Sequence, residues 1–198
     1  MTAAEPAGTG RDGTAAAPTV AYLSPGWPPD AWPNGIVTYV ATIAGAIRER
    51  GGRAFVLTRR NAAPGDAGVI DLSAAGRTGS AAARLLGRAA SRLLPTATEA
   101  DRHPRAIRRA VAGLEAGPGL DLLEMEESFG WCGAVAGRVP VPVVVRLHGP
   151  WFLNGPNNGA DPESEAFRRR VRAEGEALRR SAAITAPSRD VLERTRAY

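Results

Sequence analysis

The residue of this sequence best placed to do chemistry is a histidine at the end of an apolar run. Val143-Val144-Val145-Arg146-Leu147-His148-Gly149-Pro150 passes from continuous β-branched residues into a cation, an imidazole, a glycine and a proline. Strands covered on both faces of a parallel sheet read as such runs, and open α/β sheets bind ligands beyond the carboxyl ends of their strands. His148 falls at that edge; Pro142 can open the strand, and Gly149-Pro150 turns the chain away. An imidazole there fits two roles equally. It can exchange a proton or a hydrogen bond with a ligand near neutral pH, or make a structural hydrogen bond at the strand end.

Glu124, Glu126 and Glu127 gather at the end of another apolar segment. Strand alternation sends Glu124 and Glu126 to one face and Asp121 and Met125 to the other. Two such carboxylates can divide acid and base roles, or they can pair with Arg146 and cap the helix after Ser128. A third cluster is the turn Pro33-Asn34-Gly35-Ile36, which opens a helix. Free amide donors and the positive dipole end of that helix suit an anion, while Asn34 also suits a plain N-cap. This turn carries neither a G-x-G-x-x-G fingerprint nor a Walker loop. Trp27 and Trp32 lie in the Pro-rich loop before this turn, where they can stack on a ligand or pin the loop to the body of the domain.

Alternating strands and helices must position these groups. Thr19 to Ser24 reads as a strand, and apolar residues then recur with helical period at Ile36, Tyr39, Val40, Ile43, Ala44 and Ile47 until Gly51-Gly52. Arg53 to Thr58 reads as a second strand parallel to the first. A short strand is expected near Val69 to Leu72, and helices over 80 to 94 and 105 to 116, separated by breakers near Pro95 and Pro104. Further strands are expected at Leu120 to Met125, Val141 to Leu147 and Ala182 to Ala186, with a helix from about Gly130 to Gly137. A Gly/Asn/Pro-rich loop from Gly149 to Pro162 precedes a charged helix ending near Arg180, and Pro187-Ser188 opens a final helix. The pattern is that of an α/β, Rossmann-like three-layer domain with a mostly parallel sheet, spanning residues 19 to 198.

Composition narrows the function. The 198 residues carry a formal net charge of +5, and every cation is arginine because the sequence has no lysine. Arg168, Arg169, Arg170, Arg172, Arg179 and Arg180 alternate with Glu163, Glu165, Glu174 and Glu176, the pattern of a solvated helix face rather than of a nucleic-acid footprint. The single cysteine, Cys132, rules out an internal disulfide framework and argues against a zinc cluster, which makes the cytoplasm the default compartment. Residues 1 to 18, rich in Ala, Gly, Thr and Pro with no apolar core, are expected to be a disordered tail rather than a signal peptide. The basic charge permits peripheral membrane contact, although no clear basic amphipathic helix supports it.

Taken in order, the first strand, the Pro-Asn-Gly-Ile turn and its helix, the acidic strand end, Arg146-Leu147-His148-Gly149-Pro150 and Thr185-Ala186-Pro187-Ser188 resemble the N-terminal domain of family 4 glycosyltransferases, retaining enzymes of the GT-B fold. The resemblance implies one half of a GT-B fold. By it, His148 is the catalytic-site histidine beside the transferred sugar, and Asn34, Gly35 and Ile36 form the loop near the donor diphosphate and the acceptor. Arg146, Glu127 and Ser188 become supporting residues. The family usually has Gly-Gly-Ile where this chain has Asn34-Gly35-Ile36, a change that Asn tolerates if a left-handed backbone is needed.

The implied co-substrate is a nucleotide-sugar, with no metal and no further cofactor, and the implied acceptor is a carbohydrate or a lipid-linked molecule. The family's donor-binding C-terminal domain has no counterpart in this sequence, which ends at Tyr198 without a helix-capping signal. The expectation is therefore an apparently truncated hexosyltransferase domain, inactive alone and completed by a donor-binding domain or a separate subunit. The alternative is a non-catalytic Rossmann-like binding or partner module.

Overall fold

The structure is a computed structural model that describes residues 17–73 and 99–198. The helix expected over 80 to 94 and nearly all of the expected tail lie outside the described residues.

Six strands form one sheet: β1 (Thr19–Ser24), β2 (Arg53–Thr58), β3 (Val69–Asp71), β4 (Leu122–Glu126), β5 (Val143–Arg146) and β6 (Ala183–Thr185). Their order is β3-β2-β1-β4-β5-β6 and every pairing is parallel, so the expected α/β, Rossmann-like class holds. The helices are α1 (Gly35–Glu49), α2 (Glu99–Ala116), α3 (Trp131–Val135), α4 (Trp151–Asn157), α5 (Glu165–Arg180) and α6 (Arg189–Ala197), with a 3-10 turn at Ser128–Gly130. Among the described residues no helix is long and apolar enough to cross a membrane.

Strand alternation divides the core into two layers. Val20 and Tyr22 of β1 join Ala54 and Val56 of β2 beneath Val37, Val40 and Ala44 of α1. Ala21 and Leu23 face the other way and pack with Leu57, Leu123, Met125, Val143 and Val145 against α2, α3 and α5. Each fully buried aliphatic side chain contributes roughly 1.5–3 kcal/mol of transfer free energy, so the sheet's two faces are held by many such contacts rather than by any one.

The strand order reverses between β1 and β4. The chain leaves β1 toward α1 on one face and leaves β4 toward α3 on the other, which opens a crevice at the carboxyl edge of the sheet.

Two expectations need correction. α2 does not begin after Pro104 but runs through it. The proline lies near the helix start and forfeits only one intrahelical bond, while His103, Ile107, Ala110, Val111 and Leu114 bury one continuous stripe. The expected loop from Gly149 to Pro162 contains α4. Its Gly155 is buried because a Cβ would meet Phe167 at 2.8 Å and Trp151 at 2.9 Å, so composition that signals a loop here serves close packing.

Candidate active site

Three elements place His148. β5 delivers it just past Arg146, α1 supplies a ring against it, and the residue following β4 fixes its backbone. Glu127, 2 % exposed, accepts hydrogen bonds from the amide of His148 (3.0 Å to Oε2) and the amide of Gly149 (2.7 Å to Oε1). Charge-assisted bonds of this kind are worth roughly 1.5–3 kcal/mol each. A carboxylate 21 positions away in sequence thus clamps the turn that carries the imidazole. Burial pushes the Glu127 carboxyl pKa up, and the amide donors of His148 and Gly149 pull against that shift.

The imidazole packs edge-on against Tyr39 of α1, with ring centroids 5.2 Å apart. Burial, helped by the nearby Arg146 guanidinium, lowers its pKa to about 4. His148 is therefore neutral at physiological pH, with one ring nitrogen donating and the other accepting. The Tyr39 hydroxyl donates to Glu124 at 3.0 Å, and the Arg146 guanidinium lies over the Tyr39 ring at 4.8 Å from its centroid. Burial and the Glu124 carboxylate together push Tyr39 up to about 12, so its hydroxyl keeps its proton. Burial likewise raises Glu124. Arg146 donates to the Ala186 carbonyl at 3.0 Å, tying β5 to the end of β6, while its buried Nε has no hydrogen-bond partner among the described residues.

The three acidic residues of β4 and its end do not act as one cluster. Glu124 bonds to Tyr39, Glu127 holds the His148 turn, and Glu126 accepts from the Ser128 hydroxyl at 3.1 Å. Glu126 is the one poised near neutrality: burial drives its pKa to about 7 against the pull of Ser128.

A second clamp was invisible to the charge pattern. α5 was expected to be a solvated face, and its pairs Arg168–Glu163 and Arg169–Glu165 are indeed exposed. Glu174, in contrast, is 3 % exposed, because the helix turns Phe167, Glu174 and Ala177 inward. Its carboxylate accepts from the Phe129 amide (3.2 Å), the Trp151 amide (2.7 Å) and Arg170 (2.9 Å). The Arg170 guanidinium also lies over the Phe129 and Trp151 rings, at 4.1 and 3.7 Å from the centroids. Glu174 thereby joins the turn after β4 to the helix after β5, one clamp beside that of Glu127.

The turn it holds is strained. Phe129 has φ +58° and Gly130 φ +68°, and a Cβ at Gly130 would meet the Ala173 carbonyl oxygen at 2.5 Å. A bulky residue in left-handed conformation costs of order 1–3 kcal/mol and marks functional edges. Here the strain presents the Phe129 ring, 52 % exposed, to the crevice.

At the start of α1, the Asn34 side chain accepts from the Ile36 amide at 2.8 Å, so it is an N-cap. Its backbone is extended (φ −150°, ψ 139°), as N-caps require, and not left-handed. A Cβ at Gly35 would meet nothing within 4 Å, which leaves the helix start open to approach. Gly35 and Tyr39 are one helical turn apart on the same face, so this opening and the imidazole border the same space. Ile36 is partly buried against the α1 core. Trp27 is 7 % exposed within that core and bonded through its backbone to Arg60 and Ala62, which is the anchoring role. Trp32 stands nearer the surface, under Arg60 at 5.3 Å. Ser188 caps α6 by accepting from the Val191 amide at 3.2 Å and does not touch His148 in any hydrogen bond or ring contact.

Beyond Glu126 the edge opens into a hollow of about 420 Å³, walled by Leu23, Ser24, Arg59, Arg60, His103, Phe129 and Trp131. Tyr39 was read only as part of the apolar face of its helix, and Glu174 and Arg170 only as part of a solvated face, so none of the three was marked as a site residue.

The six-stranded parallel sheet, with a histidine held at its carboxyl edge, defines a Rossmann-like α/β domain. The sequence from residue 33 to residue 198 matches Glycosyltransferase Family 4, and the chain belongs to that family, whose N-terminal half of the GT-B fold it represents. No curated protein matches the chain.

Proposed function

We propose that this domain is the acceptor-side half of a retaining hexosyltransferase, which moves a sugar from a nucleotide-sugar to a carbohydrate or lipid-linked acceptor. The observation that carries this reading is the double amide bond from Glu127 to the turn bearing His148, which holds a neutral imidazole at the crevice. A neutral imidazole can hydrogen-bond the hydroxyls of the donor sugar without opposing the positive charge that develops on an oxocarbenium-like transition state. The departing diphosphate gains negative charge, which open amides at the start of α1 and fixed positive charge such as Arg146 are suited to stabilise. Pre-set donors of this kind need no reorganisation as charge develops.

Donor binding falls to a second Rossmann-like domain, joined to this one or supplied as a partner, and the 198-residue chain by itself has no appreciable transferase activity. A cytoplasmic setting suits a nucleotide-sugar donor. The test is a transfer assay over a panel of nucleotide-sugars, run on the chain alone and with a donor-binding domain supplied. Transfer only in the second case, with the product keeping the donor's anomeric configuration, supports the proposal. Robust turnover by the chain alone, or no transfer in either case, overturns it. The second reading, a non-catalytic partner module, draws on the exposed edge strand β6, where Ile184 is 37 % exposed. It predicts complex formation without transfer.

A further inference from the structure

The hollow beside Glu126 adjoins a second one of about 380 Å³, and the two share Arg59 and His103 as wall residues. Arg59 and Arg60 follow the carboxyl end of β2. Arg102, Arg105 and Arg109 reach the second hollow from α2, at spacings of three and four that place them on one helix face. Among the residues named for the two walls, Glu126 is the only acid.

Three arginines of α2 differ from Arg108 on the same helix and from several others in the molecule. Arg108 donates to the Ala134 carbonyl, Arg48 to the Ala54 carbonyl, and Arg168, Arg169 and Arg170 pair with glutamates. Arg102, Arg105 and Arg109 have no hydrogen bond or ion pair among the described residues. Like charges three and four apart on a helix repel one another, and Arg102 lies in the first turn, where the helix dipole disfavours a cation. Such an arrangement lowers stability without a counter-charge, and a polyvalent anion in the shared hollow reverses the sign of each of these effects.

We propose that the hollow walled by Arg59, Arg60, Arg102, Arg105 and Arg109 binds the phosphate of a phosphate-bearing acceptor. This rests on the reading of the domain as the acceptor-holding half. Phosphate suits the geometry better than carboxylate, because its three terminal oxygens can receive several planar guanidinium forks arriving from two different elements. The hollow lies along the same sheet edge as His148. Glu126 walls it, and the adjoining Glu127 holds the histidine turn. An acceptor anchored here by phosphate would therefore extend toward the imidazole.

The test is titration of the 198-residue chain at fixed ionic strength with glucose 6-phosphate, inorganic phosphate and glucose. Phosphatidylcholine vesicles, with and without phosphatidic acid, form a further arm. Binding is read by calorimetry or by the NMR signals of the arginine Nε–H groups. We expect saturable binding of a phosphate probe, no binding of glucose, and a loss of about tenfold for each of Arg105→Gln and Arg109→Gln. Arg168→Gln, which removes an equal charge from the exposed pair on α5, should leave the affinity unchanged. Response to the soluble ester supports a soluble acceptor, and response to phosphatidic acid vesicles alone supports a lipid headgroup; both uphold the phosphate site. Glucose binding as tightly as its phosphate, equal weakening by Arg168→Gln, or no binding of any phosphate probe overturns it. None of these titrations uses a nucleotide-sugar, so the site can stand if the transferase reading fails. Transfer to an uncharged acceptor without phosphate binding would sink this inference alone.

Discussion

At the β4–β5 end of the sheet edge, Glu127 and Glu174 accept from backbone amides and Tyr39 donates to Glu124, with the Arg146 Nε left without a partner among the described residues. At the β2–β3 end, Arg102, Arg105 and Arg109 face a hollow with no counter-charge of their own among the described residues. The first region is fixed before any ligand arrives, as a site that stabilises a transition state must be. The second holds unbalanced charge, as a site that captures a substrate group can. Position along one sheet edge thus separates a region braced by internal bonds from one of unbalanced charge, and the proposed roles can be tested by breaking that contrast.

The largest expected effect is at the fixed end. With a donor-binding domain supplied, His148→Ala should lower transfer by about a hundredfold or more, the usual cost of removing one positioned transition-state contact. Its melting temperature should fall little, because the Glu127 bonds go to backbone amides and survive the substitution. A transfer rate near wild type, or a loss of stability that matches the loss of rate, would assign the histidine to structure.

Arg170→Gln should show the largest change in stability. It strips the counter-charge from Glu174, whose side chain is 4 % exposed, and removes a guanidinium packed between two rings. Because Glu174 keeps its two amide donors, losing this charged hydrogen bond costs roughly 1.5–3 kcal/mol, measurable by urea denaturation. A cost below about 1 kcal/mol, the range of an exposed pair, would show that the clamp is not what holds the turn after β4.

A smaller effect is expected in the pH dependence of stability. The His148 pKa falls from 6.5 to about 4 on folding, so the unfolded chain takes up a proton first and stability is lost as pH drops through this window. Glu126 does the reverse. Its pKa rises from 4.5 to about 7, so the folded chain holds a proton longer, and stability present below 4.5 is lost as pH rises through 7. Glu126→Gln removes the second loss, and its melting temperature should exceed the wild-type trend above neutrality, by about 2–4 °C for each kcal/mol of that loss. Parallel curves for the two proteins across that range would place the proton elsewhere.

Much of this organisation was legible in the sequence because parallel strands are locally written. β1 and β2 read directly from apolar runs, and His148 and the acidic residues after β4 were placed at the sheet edge because strand ends in this fold class meet the crevice, while the supporting roles of Arg146 and Glu127 came from the family resemblance. The clamps were not legible for the same local reason. Glu174 meets Phe129 across 45 positions and Tyr39 meets Glu124 across 85, distances at which no periodicity carries information. Glu174 also sits amid residues that do form a solvated face, so its inward turn is decided by packing of Phe167 and Ala177. α4 was hidden by Gly155 and Pro156, residues that signal a loop unless a tight contact requires them.

The smallest expected change sharpens the comparison from the other end. Arg105→Gln removes a cation of the same charge as Arg170, also from a helix that carries several arginines, yet it breaks no bond among the described residues and relieves repulsion from Arg102 and Arg109. Its stability should stay within about 0.5 kcal/mol of wild type and move upward by a few tenths if the repulsion is felt. Added inorganic phosphate should then raise the melting temperature of the wild type more than that of Arg105→Gln, because a ligand stabilises only the state that binds it. If Arg105→Gln destabilises the fold as much as Arg170→Gln does, the two ends of the edge are built alike, and the arginines of α2 are structural cations rather than a surface kept for a phosphate.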